Sequence, residues 1–223
     1  MAWCLPQIAL IWGLRGYRLE CTACRSVRKR NMRLLKSTVH PDLNELDTSE
    51  LHHNTFHRKA ARGIILNGDN ILMLYTERYH DYTLPGGGID EGEDAIEGLI
   101  RELQEETGAQ NIRDIREFGI YEEYRPWYKP EHDIMHMLSY CYVCSIDEQL
   151  GDTKLEDYEV KNGMKPVWIN IYDAIAHNEH TIANSEKKGM SIERETFLLK
   201  AIVAELLGKG TAEDGETLFK AAS

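Results

Sequence analysis

The sequence predicts an α+β fold, mixed β-strands with helices packed on either side. Three observations carry this. Two stretches, around residues 57–79 and 112–146, are rich in β-branched and aromatic residues in strand-like runs. Two others, 94–108 and 191–207, set apolar residues at helical spacing. The regular strand–helix–strand alternation that a doubly wound sheet needs is absent.

The bulk properties fit one soluble domain with appendages. The chain has 223 residues, 42% of them hydrophobic and 28% charged, enough for a core without disulfide or metal staples. Its formal charge of −11 argues against nucleic-acid backbone or an anionic membrane as partner. That charge is uneven: residues 1–31 carry six bases against one acid, Glu20, leaving −16 for the remainder. The opening MAWCLPQIALIWGL is too short to span a bilayer, and it lacks the flanking charge and cleavage site of an export signal. Residues 1–31 are therefore expected to lie outside the functional domain, with a chain starting at Met32 keeping activity and with the cytoplasm as its location.

Residues 32–56 are polar and broken at Pro41, and read as an arm or short helix leading into the domain. The histidines there and just beyond, His52, His53 and His57, read as solvated rather than metal-binding. HRKAARGIIL and ILMLYTERY flank an Asn-Gly-Asp turn, which predicts a hairpin. IRDIREFGIYEEYR and HDIMHMLSYCYVCSI predict long strands joined through RPWYKPE. An acidic loop follows, then the strand PVWINI and a short helix from YDAIAHNE. SIERETFLLKAIVAELL predicts a helix with Ser191 as N-cap and Gly208 past its end, and residues 208–223 read as a flexible tail.

Between the hairpin and the long strands lies PGGGIDEGEDAIEGLIRELQEETGA. From Gly87 to Ala109 it holds eight acids and a single base, Arg101. DAIEGLIRELQEETG predicts a helix, bounded by the glycine run before it and Gly108 after it. At 100° per residue, Ala95, Ile96, Leu99, Ile100 and Leu103 share one apolar arc, while Glu97 faces away. Glu102, Glu105 and Glu106 fall on one side, and Glu106 falls inside the apolar arc. A solvated acidic face accounts for Asp94 and Glu97 but not for Glu106, because burying an unpaired carboxylate is costly. One arginine cannot neutralise three acids. A divalent cation can, and hard oxygen ligands select Mg2+ or Mn2+. The glycines permit a tight loop at the helix start, and Gly86 and Gly87 can offer N–H groups to phosphate.

The spacing from Gly87 through Glu93, Arg101-Glu102-Leu103 and Glu105-Glu106 to Gly108-Ala109 resembles the Nudix box over 23 residues. The resemblance implies a Nudix-type α/β/α sandwich with a mixed β-sheet and a loop–helix–loop catalytic motif, over residues 57–207. It implies a metal-dependent pyrophosphohydrolase acting on a nucleoside diphosphate derivative such as ADP-ribose, a sugar nucleotide or a nucleoside triphosphate. Glu102, Glu105 and Glu106 would bind Mg2+ (or Mn2+), with Glu93 supporting the site and Arg101 orienting Glu102. The base that activates water would be a box glutamate or a carboxylate on a later loop, Glu159 and then Glu156. A homodimer is the expected assembly by the same resemblance. The alternatives are a catalytically silent Nudix-fold nucleotide-binding or regulatory module, whose sign is a degraded box, and diphosphate isomerisation, for which Cys141 is a poor catalytic candidate.

Two features stay open at this level. Tyr121, Tyr124, Arg125, Trp127, Tyr128 and Lys129 cluster after the box; they suit base stacking and phosphate contact, or equally sheet packing and a rigid loop. No substrate can be read from the positions of Pro126 and Trp127. The five cysteines include two C-x-x-C pairs, Cys21/Cys24 and Cys141/Cys144, but residues three apart on a strand diverge, so buried free thiols are expected rather than zinc. His136 alternates with Ile134 and Leu138 and reads as a packed sheet histidine.

Overall fold

In a computed structural model, residues 32–43, 54–127 and 129–208 are described. The N-terminal extension, His52, His53, Tyr128, the pair Cys21/Cys24 and the tail from 209 onward lie outside the described residues.

Strand pairing begins in the segment expected to be an arm. LLKSTV forms β1 (Leu34–Val39), which runs parallel to β6 (Arg113–Pro126). The alternation Leu35, Ser37, Val39 was short and masked by basic neighbours, so the strand comes from its pairing partner rather than from its own pattern. β6 pairs antiparallel with β7 (Ile134–Ser145), and β7 pairs parallel with β2 (Thr55–Ile64). This first sheet, ordered β1–β6–β7–β2, is therefore mixed. The expected turn sits at Gly68, in the left-handed region at φ 60°, and joins β3 (Leu66–Asn67) to β4 (Asn70–Thr76). β4 centres a second, antiparallel sheet with β3, β5 (Asp81–Thr83) and β8 (Met164–Asn170).

Helices cover this framework on two sides. α1 (Ala95–Thr107) starts at Asp94, whose side chain accepts the Ile96 N–H at 2.9 Å, and ends at Gly108 with φ 70°. Its Leu99 and Leu103 are fully buried with Ala61, Ile65, Leu72 and Tyr142. Each of the two leucines contributes about 1.5–3 kcal/mol by burial. After the short α2 (Asp157–Lys161) and β8, α3 (Ile171–Asn184) and α4 (Ile192–Ile202) close a separate core of Ile64, Ile71, Met73, Leu84, Leu198 and Ile202. Neighbours such as Ile64 and Ile65, or Ile71 and Leu72, thus feed opposite cores, as a strand's two-residue period requires. The α+β fold class with a mixed sheet and flanking helices stands as expected.

Several local expectations are corrected. The acidic loop contains α2, α3 is longer than the short helix foreseen, and Ser191 occupies the N-cap position of α4 without a side-chain cap bond. Ile96 is 40% exposed, at the edge of the α1 arc rather than inside it. Cys141 and Cys144 diverge as expected, one into each core, and burial pushes both thiols up to about 12. His136 is a packed histidine: it meets Glu122 at 2.9 Å and stacks on Tyr124 with ring centroids 4.4 Å apart.

Candidate active site

The glycine loop is held as an extra strand. Gly63 N–H donates to Pro85 O at 2.8 Å, Ala61 N–H to Gly87 O at 3.0 Å, and Ile89 N–H to Lys59 O at 3.0 Å. A side chain at Gly86 (φ 127°) would strike the Ala61 carbonyl, and one at Gly87 would run into the Glu102 carboxylate. Glycine is needed at Gly86 because its φ is positive and the β2 backbone occupies the space; at Gly87 the Glu102 carboxylate does.

Glu106 is buried at 6% exposure, as its place in the apolar arc foretold. Its Oε2 accepts the Gly86 N–H at 2.5 Å. Burial, with Glu102 and Glu159 beside it, pushes its carboxyl up to about 8 against the opposing pull of the Gly86 N–H and Arg62. Glu102, with its side chain 15% exposed, is likewise raised by burial despite a bond from Arg101. Glu105 is more open, at 44% of its side chain. Arg101 spans the group, bonding Glu93 through two nitrogens at 2.9 Å and Glu102 at 2.7 Å. Glu93 is thereby engaged by arginine and does not line the cavity.

Glu102, Glu105, Glu106 and Glu159 all line one cavity of about 710 Å3. Glu159 is buried on α2; it accepts the Tyr158 hydroxyl at 2.9 Å and the Glu156 N–H at 2.8 Å. The sequence reading did not find the cations that share this cavity, Arg58, Arg62, Lys154 and Arg194. The first two stand on β2, which only the loop-to-β2 pairing brings beside the box. Arg62 donates to the Gly86 carbonyl, and its Nε is buried without a hydrogen-bond partner.

The other expected substrate contacts are placed differently. Gly86 gives its N–H to Glu106 rather than leaving it free for phosphate. Tyr124 stacks on His136, Trp127 packs on Phe56 with centroids 4.8 Å apart, and Arg125 lies 3.5 Å from Glu123. None of these three lines this cavity. The aromatic residues that do line it are Tyr79 and Tyr158.

The carboxylate set is all oxygen and buried or half-buried, and to be fully ionised it needs more positive charge than Arg101 and Arg62 bring. It suits a hard divalent cation. Among the described residues, no three His, Cys, Asp or Glu side chains are drawn together as a finished ligand cage. Arg101 instead holds Glu102 and reaches Glu105 at 3.4 Å.

A NUDIX-domain family model matches residues 56–190. Diphosphoinositol polyphosphate phosphohydrolase 3-alpha of Homo sapiens is 32% identical over 110 residues, which cover 48% of this chain and 58% of that one. RNA pyrophosphohydrolase of Bartonella quintana (strain Toulouse) is 52% identical over 42 residues, 19% of this chain and 24% of that one. The chain thus spans 58% and 24% of the lengths of these two relatives. A solved nudix hydrolase family member from Chromobacterium violaceum has 22% identity, covers 74% of this chain and 88% of that one, and gives a TM-score of 0.41. No helix among the described residues is long and apolar enough to cross a membrane. With the domain match covering well over half of its length and enclosing the whole carboxylate box, this chain belongs to the NUDIX family.

Proposed function

We propose that the chain is a metal-dependent pyrophosphohydrolase, cleaving the phosphoric anhydride bond of a small-molecule nucleoside diphosphate derivative with Mg2+ or Mn2+. One observation carries the reading: Glu106 is buried beside Glu102 and Glu159 in a cavity lined by seven acids and five cations. The names of the two relatives, a phosphohydrolase of diphosphoinositol polyphosphate and an RNA pyrophosphohydrolase, support anhydride hydrolysis and leave the attached group open. The chain's net charge of −11 supports a small molecule over a nucleic acid. Family resemblance supports a homodimer.

On this reading Glu102, Glu105 and Glu106 hold the cation, and Arg101, braced by Glu93, positions Glu102. When bound, the cation supplies Lewis acidity at the phosphoryl oxygens and lowers the pKa of a bound water. Glu159, held by Tyr158 and the Glu156 N–H, takes the proton of the attacking water. The water oxygen bonds to phosphorus, the bridging P–O bond breaks, and the proton later returns to solvent. Arg58, Arg62 and Lys154 face the phosphate charge.

The test is turnover of ADP-ribose, sugar nucleotides, nucleoside triphosphates and diadenosine polyphosphates with Mg2+, wild type beside Glu106→Gln. The variant is expected to lose at least ~100-fold in turnover, as when a charge-stabilising group is removed. It should also lose any rise in melting temperature that Mg2+ gives the wild type. A variant that keeps both normal turnover and the Mg2+ response would overturn the assignment. Tight nucleotide binding without turnover by wild type would point instead to a silent binding module.

A further inference from the structure

The same cavity has a second wall that the proposed chemistry does not use. Thr76, Asp81 and Thr83 come to it from β4 and β5, and Ser191 and Arg194 from the start of α4. Asp81 is only 2% exposed. Thr76 is its cross-strand partner on β4. The Asp81 Oδ2 lies against Gly189, where an added Cβ would come within 2.7 Å. Its Oδ1 is buried and has no hydrogen-bond partner. A buried acceptor left unmatched is costly, and native folds rarely leave one without a reason.

The cation on that wall does not supply the partner. Arg194 gives its Nη1 to Glu123 at 3.0 Å and its Nε and Nη2 to Glu195 at 3.0 and 2.7 Å. Glu195 in turn accepts the Leu84 N–H at 2.9 Å. A carboxyl oxygen lining a cavity accepts a bond from a hydroxyl or an amine. It meets a phosphate oxygen to oxygen, with like charge and no proton to share.

We propose that Asp81 is a specificity-determining residue of this cavity. It accepts a hydrogen bond from an uncharged hydroxyl or amino group on the moiety attached to the diphosphate, and it disfavours a moiety that carries further phosphate. This rests on the anhydride-hydrolase reading above and narrows it to sugar- or nucleoside-like substrates over polyphosphorylated rings.

The experiment compares wild type, Asp81→Asn and Asp81→Ala on two probes, ADP-ribose and a diphosphoinositol pentakisphosphate. Each is measured as kcat/KM with Mg2+, and ADP-ribose affinity is measured separately by calorimetry. Wild type is expected to prefer ADP-ribose. Asp81→Ala should lose about tenfold or more of kcat/KM on ADP-ribose, chiefly through KM, with the phosphate-rich probe unharmed. Asp81→Asn keeps an acceptor oxygen without the charge, so it should stay within about threefold on ADP-ribose and improve on the phosphate-rich probe. Should Asp81→Ala not fold, narrowed discrimination in Asp81→Asn supports the proposal and unchanged discrimination overturns it. A wild type that prefers the phosphate-rich probe, or variants that weaken both probes equally, also overturns it. If wild type hydrolyses neither probe, the hydrolase reading falls alone and calorimetry decides. ADP-ribose binding weakened by Ala and kept by Asn supports the subsite; equal affinities, or no binding by wild type, end it.

Discussion

Arg101 grips Glu93 through two parallel bonds, Nε to Oε1 and Nη2 to Oε2, each 2.9 Å long. The same guanidinium reaches Glu102 at 2.7 Å and the Gly88 carbonyl at 2.9 Å, tying loop and helix together. It holds the Glu93 carboxyl well down, at about 2. Lysine would keep the charge and lose the fork. Arg101→Lys is therefore expected to lower kcat roughly tenfold or more with KM little changed, and raising Mg2+ should not restore it. Steady-state kinetics over a Mg2+ series checks this; an unchanged kcat would remove Arg101 from the positioning of Glu102.

Asp81 should leave its own mark on stability. Burial, with Glu195 adding to it, lifts the carboxyl from 3.8 to about 6. The folded chain thus keeps the proton to higher pH than the unfolded chain does. The contribution is fully present below 3.8, declines as pH rises to about 6, and changes no further once both states are ionised. Asn carries no such proton. The stability of Asp81→Asn relative to wild type is expected to rise across that window, by roughly 3 kcal/mol at most. Melting temperatures from pH 3 to 7 would read it, and a gap that stays constant with pH would contradict it.

Two truncations separate the N-terminal segments. A chain starting at Met32 is expected to match the full chain in turnover. A chain starting at His57 loses β1, whose Leu35 fills the space beside Gly119 at 2.5 Å from where a Cβ would stand. Removing that packed leucine and the main-chain bonds to β6 should cost at least about 1.5 kcal/mol in urea unfolding. Equal stability of the two truncated chains would show that β1 adds nothing to the fold.

The box helix was legible because three signals agree in α1: the arc of Leu99 and Leu103, the cap at Asp94 and the stop at Gly108. Glu106 stood out by breaking that pattern, and it is where burial and chemistry meet. The long strands β6 and β7 were legible from their composition, and the diverging thiols of Cys141 and Cys144 followed from strand geometry alone. What the sequence withheld is what pairing decides. β1 is a strand only because β6 offers it an edge, and β5 is too short to announce itself. Arg58, Arg62, Asp81 and Arg194 reach one cavity from three separate elements, β2, β5 and α4, with no local pattern marking any of them. For Tyr124, Arg125 and Trp127 the sequence left two readings, because nearness in sequence to the box does not settle which face a side chain takes.

The stitching of Pro85–Ile89 along β2 also decides how the pocket can move. Three main-chain bonds fasten the glycine rim to a strand whose partner is β7, in the middle of the mixed sheet. To swing this rim open, the chain would have to unzip a sheet edge and tear Gly86 from Glu106 in the same motion. The rim is therefore an anvil rather than a lid, and the carboxylates it steadies meet each arriving molecule already in place.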